Sequence, residues 1–60
     1  MKVQELISHV FDSVVLYRRE GEDYIDLFKG KSSEIPTRYL ELEVGIIGAK
    51  RKNILDIEVR

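Results

Sequence analysis

The chain has no cysteine, no tryptophan, one histidine (His9) and one proline (Pro36). Without cysteine there is no disulfide framework and no thiolate site for zinc or an iron–sulfur cluster. No apolar run reaches 18 residues, and the first residues contain no h-region of a secretory signal. A cytoplasmic protein that does not span a membrane is therefore expected. Charge of one sign is also missing: ten Lys and Arg stand against eleven Asp and Glu, a net charge of −1. That balance supplies no field to attract a nucleic acid, so nucleic acid is not an expected partner.

What is present is one small domain covering residues 1–60. A 7.0 kDa chain exposes roughly 10,000 Å² unfolded and about 4,000 Å² folded. If about 60% of the surface buried is apolar, burial stabilises by about 90 kcal/mol, and ordering sixty residues costs about 90 kcal/mol. The two terms cancel. Tight packing, a metal or self-association must supply the margin, and the residue pattern favours self-association.

The pattern along the chain changes period several times. Val3, Leu6, Ile7, Val10 and Phe11 fall on one face of a helix. Asp12-Ser13 is a plausible exit. Val14–Arg19 and Tyr24–Phe28 then read as strands joined at Glu20-Gly21. A two-residue turn there would pair Tyr17 with Tyr24, Leu16 with Ile25, Val14 with Leu27, and Arg18 with Asp23. One face would carry Val14, Leu16, Ile25 and Leu27. Gly30–Glu34 reads as a loop, with Ser33 as a cap and Pro36 in the first turn of a short helix over Ile35–Glu41. Tyr39 and Leu40 should point inward. A second hairpin joins Val44–Ala49 to Ile54–Val59. A three-residue loop, Arg51-Lys52-Asn53, aligns Ile47 with Ile57 and puts Asn53 where a left-handed backbone is needed.

The expected fold class is α+β, in the order α-β-β-α-β-β: a small, mainly antiparallel sheet with both helices on one face. The alternative is two hairpins that complete a sheet only across a subunit boundary. The uncovered face would carry Val15, Tyr17, Tyr24, Phe28, Ile46 and Ile54. Contiguous apolar patches of this kind mark interaction surfaces, so a homo-oligomer is expected, with a two-fold dimer the commonest geometry. The last strand would also offer an edge for pairing.

No constellation of residues points to catalysis. His9 has no second histidine or cysteine to complete a site. Ser8, Ser13, Ser32 and Ser33 lie in no nucleophile motif. Lys29-Gly30-Lys31-Ser32-Ser33 lacks the earlier glycine of a phosphate-binding loop, since position 25 is isoleucine. Glu41, Glu43, Asp56 and Glu58 lack the ligand-rich loop of a hard-cation site. No metal, cofactor or catalytic residue is expected. The sharpest charge feature is Lys50-Arg51-Lys52 at a hairpin tip, where three cations would meet a phosphate or remain a solvated turn.

Three stretches are read together: Met1-Lys2-Val3-Gln4-Glu5-Leu6-Ile7; Leu27-Phe28-Lys29-Gly30 with Glu34-Ile35-Pro36; and Val44, Ile47-Gly48-Ala49 with Ile54-Leu55-Asp56-Ile57-Glu58-Val59. Over nearly the whole chain this pattern of apolar positions resembles short accessory proteins carried by phages and prophages of Firmicutes. The resemblance implies a small accessory protein without catalytic residues. Many such proteins counter host defence, by binding a host immune protein or by sequestering a signalling nucleotide between subunits.

The leading expectation is thus a non-enzymatic, homo-oligomeric binding protein that inhibits a host protein by direct contact. Two alternatives stand beside it. One is an oligomer that sequesters a nucleotide-like anion through Lys50, Arg51 and Lys52, with Tyr17 or Tyr24 stacking on a base. The other is a structural or assembly module without a ligand.

Overall fold

The structure is a computed structural model that describes residues 1–8 and 12–60, with only the backbone described at position 50. His9, Val10 and Phe11, and the expectations placed on them, lie outside the described residues. The elements are α1 (Val3–Ile7), β1 (Ser13–Glu20), β2 (Asp23–Lys31), a 3₁₀ turn (Ser32–Glu34), α2 (Thr37–Leu40), β3 (Val44–Arg51) and β4 (Ile54–Val59). The fold is α+β and mostly sheet.

The four strands form one sheet within the chain, in the order β2-β1-β4-β3. The outer pairs β1–β2 and β3–β4 are antiparallel hairpins, while the central pair β1–β4 is parallel. The sheet is therefore mixed. It needs no second subunit to complete it, which corrects the alternative of two half-sheets. β4 is also a central strand and not an edge. The reason lies in its alternation: Leu55, Ile57 and Val59 are all buried. They line up with Val14, Leu16 and Arg18 of β1 on one side, and Ile57 and Val59 meet Ile47 and Val44 of β3 on the other.

The first hairpin has its turn one residue later than expected, which moves each partner by two positions. Its turn is Gly21-Glu22, with Glu20 opposite Asp23. Gly21 has φ +62°, which fits a turn with glycine at its first central position. Arg18 consequently faces Ile25, Arg19 faces Tyr24, and Tyr17 faces Asp26. Ile25 is 42% exposed near the hairpin end and does not join the core. Past Tyr17 the register slips, so that Leu16 faces Phe28 and Leu27 is the extra residue of a β-bulge. The bulge turns Phe28 to the helix side, where Leu27 and Phe28 both pack on the core. Phe28 is thus not on the uncovered face. Its ring lies against Gly30, where an added Cβ would come within 3.3 Å of Cζ.

The second hairpin keeps the expected pairing of Ile47 with Ile57. The last strand pair is Arg51–Ile54, and a register irregularity lies between Gly48 and Arg51. The turn residues proper are Lys52-Asn53, and Asn53 holds φ 61° as expected.

Both helices serve one core. Val3, Val14, Leu16, Ile35, Leu55, Ile57 and Val59 form its buried centre, and Leu6, Ile7, Tyr39 and Leu40 pack against it. Tyr39 and Leu40 therefore point inward, as expected. α1 has only five residues, and its start is held by the Glu5 carboxylate, which accepts a hydrogen bond from the Lys2 N–H at 3.0 Å. The preceding backbone is stitched to the segment before β3: Val3 N–H donates to Leu42 O at 2.9 Å, and Val44 N–H donates to Met1 O at 2.8 Å. Pro36 lies at the N-cap of α2 with extended ψ, one position before the first turn. Ser33 lies inside the 3₁₀ turn and caps nothing that follows, and Gly30 and Lys31 still belong to β2.

Candidate functional site

Strand alternation places odd-numbered residues of β1 on the face away from the helices. Register then carries that face across the sheet in rows. Lys31, Ser13, Ile54 and Arg51 form one row; Lys29, Val15, Asp56 and Gly48 form the next; Asp26, Tyr17, Glu58 and Ile46 form a third. Tyr24 stands beside Arg19 at the hairpin end. Of the six residues expected there, Val15, Tyr17, Tyr24, Ile46 and Ile54 are on this face, and Phe28 is not. Their exposure differs. Val15 is buried, Tyr17 and Ile54 are half-buried, and Tyr24 and Ile46 are 62% and 56% exposed.

The middle of the face is an open trough of about 630 Å³. Tyr17, Tyr24 and Ile46 line it, together with Val15, Asp56 and Arg51. The trough therefore gathers Tyr17, Tyr24 and the Arg51 of the Lys50-Arg51-Lys52 turn. The backbone at position 50 lies within β3, and Lys52 is exposed at the tip outside the trough. Arg51 is already engaged: its guanidinium donates to Asp56 Oδ1 at 2.7 Å. The tyrosine rings are engaged as well. Tyr17 and Tyr24 meet edge-on, with centroids 5.5 Å apart and planes at 75°, and the Arg19 guanidinium lies 6.0 Å from the Tyr24 centroid. The hairpin-tip arginines are held locally: Arg19 Nε donates to Gly21 O at 3.2 Å, and Arg18 Nε lies 3.9 Å from Glu20 Oε1.

Electrostatics on this face lean acidic around the phenol. Partial burial, then Glu58, Tyr24 and Asp56, raises the Tyr17 pKa above its ordinary value. The hydroxyl stays protonated through the physiological range and is available as a hydrogen-bond donor. Among the described residues, no group of three His, Asp or Glu side chains is placed to hold a metal, and no helix is long and apolar enough to cross a membrane.

The opposite side of the molecule has a second recess that sequence reasoning did not single out. Arg18, Arg38 and Arg60 come to it from β1, α2 and the residue after β4. They are far apart in sequence and in no motif; only the β1–β4 pairing brings Arg18 level with Val59 and so beside Arg60. No protein-family model matches the chain, and the comparisons with curated proteins and with solved structures found no match either.

Proposed function

We propose that this chain is a non-enzymatic binding protein that works as a homo-oligomer, with the helix-free face of the sheet as its contact surface. The observation that carries this reading is the bare trough itself. It presents Tyr24 and Ile46 to solvent beside a half-buried Tyr17 whose phenol is a ready donor. A second copy of the chain fits it. The face has a cationic margin, Lys29 and Lys31 beyond Asp26 on β2, and an acidic strip on β4, Glu58 with the Arg51-paired Asp56. A two-fold axis through such a face lays the cationic margin of each copy towards the acidic strip of the other, so the pairing is satisfied twice. A standard interface covers about 800 Å² per partner, roughly a fifth of the 4381 Å² surface of this chain.

The phage and prophage resemblance extends the proposal to a host-defence component as a further partner, met by direct contact in the cytoplasm. Nucleotide capture at the Lys50-Arg51-Lys52 turn is a weaker reading, because Asp56 already holds Arg51 and each tyrosine ring already has a neighbour. The proposal is tested by following backbone amide resonances on dilution. Shifts concentrated at Tyr24, Ile46 and Asp56 support it. Shifts confined to α1 and α2, or none over the accessible range, count against it. For the host-directed part, expression in a phage-challenged bacterium should restore plaque formation, and Ile46→Lys should abolish the effect. Equal activity of that variant would remove the sheet face from the account.

A further inference from the structure

We propose that the recess between α2 and the ends of β1 and β4 binds a small organic phosphate, independently of the sheet face on the other side of the molecule. Three arginines, Arg18, Arg38 and Arg60, line one cavity of about 270 Å³, and no Asp or Glu is among its lining residues. Arg18 has the Glu20 carboxylate at 3.9 Å, and an Arg38 Nη donates to the Tyr39 hydroxyl at 3.4 Å. Among the described residues neither Arg38 nor Arg60 has a carboxylate within ion-pair distance. Three like charges around one concavity repel each other unless an anion sits between them.

Two of the three are also positioned. The Arg38 guanidinium lies 4.7 Å from the centroid of the Tyr39 ring, a stacking that orients its donor fork. Arg60 is tethered by its backbone N–H, which donates to Glu43 O at 2.9 Å. Its side chain runs over Gly45, where an added Cβ would meet Arg60 Nε at 3.2 Å. Glycine at position 45 therefore leaves the space the arginine occupies.

The rest of the lining sets the ligand class. Leu27, Leu42, Val59 and Tyr39 make up the rest of the lining, a largely apolar wall beside the arginines. Arginine forks match phosphate oxygens bidentately, and the wall accepts an apolar or aromatic body attached to that phosphate. The volume is at the low end for ligand sites and suits a phosphomonoester of modest size.

The test is a titration followed by the arginine Nε–Hε resonances, with phenyl phosphate and inorganic phosphate as probes at constant ionic strength. Saturable shifts at Arg18, Arg38 and Arg60, with phenyl phosphate the tighter ligand, support the proposal. Arg38→Ala and Arg60→Ala replace exposed side chains and should each weaken binding roughly tenfold or more, while Arg19→Ala and Ile46→Lys leave it unchanged. Non-saturating shifts spread evenly over all the arginines, Arg19 and Arg51 included, would overturn it, as would unaltered affinity in both alanine variants. Equal affinity for the two probes would overturn the assignment to an organic phosphate.

Discussion

Arg51 and Asp56 meet diagonally across the β3–β4 hairpin, joined by a 2.7 Å hydrogen bond between a guanidinium and a carboxylate on the helix-free side of the sheet. The Asp56 side chain is only 19% exposed, so the bond is better shielded than an ordinary surface pair. A double-mutant cycle over Arg51→Ala and Asp56→Ala should return a coupling of about 0.5–1 kcal/mol in urea unfolding. A coupling near zero would mean that the turn's cation is free, and would return weight to anion capture at that turn.

Leu16 and Ile57 are parallel partners at the centre of the sheet, and both are fully buried. Removing most of either side chain leaves a cavity in a chain whose stabilising and opposing terms nearly cancel. Leu16→Ala and Ile57→Ala should each cost about 2–5 kcal/mol, enough to abolish the cooperative unfolding transition seen by circular dichroism. Ile57→Val should cost only about 1 kcal/mol and preserve it.

Gly21 and Asn53 carry the two left-handed backbones of the described chain. Gly21→Ala should destabilise by about 1–2 kcal/mol, the cost of φ > 0 for a residue with a Cβ. Asn53→Gly should be neutral or stabilising and Asn53→Ala destabilising, because asparagine tolerates this conformation better than alanine and glycine adopts it freely. Thermal denaturation of the three variants checks both turns.

The Tyr17 phenol has a pKa raised by partial burial and by Glu58, Tyr24 and Asp56. A raised value means that the folded state holds its proton more firmly than the unfolded state does. Its contribution is fully present below the unfolded-state pKa near 10, and is lost as pH rises through the folded-state value. Stability should therefore decline above about pH 10 more steeply in the native chain than in Tyr17→Phe. Urea titrations across that range test it, and identical slopes would contradict it.

Local pattern was enough for the elements and insufficient for their neighbours. The alternation of Leu55, Ile57 and Val59 with Asp56 and Glu58 specified β4 and its inward face, and asparagine's tolerance of positive φ placed Asn53 in the turn; the expected three-residue loop is shorter, because Arg51 pairs with Ile54. Nothing in that stretch says that its second neighbour is β1, because parallel pairing joins residues 41 positions apart, such as Leu16 and Ile57. A strand assumed to end the sheet thus proved central. The bulge at Leu27 had a local sign, two adjacent large apolar residues at Leu27-Phe28 that break the alternation, and reading it would have moved Phe28 to the core. The exposed sheet face was legible from Tyr17, Tyr24 and Ile46. The Arg18, Arg38 and Arg60 recess was not, because three arginines in unrelated segments leave no pattern until the strands are paired.

The central claim is self-association through the helix-free face. Sedimentation equilibrium over a wide concentration range tests it most directly, with Ile46→Lys run in parallel. The account expects the average mass of the native chain to rise from 7.0 kDa towards twice that value, while the variant stays monomeric with an unchanged circular dichroism spectrum. A native chain that remains at 7.0 kDa at every concentration would contradict it.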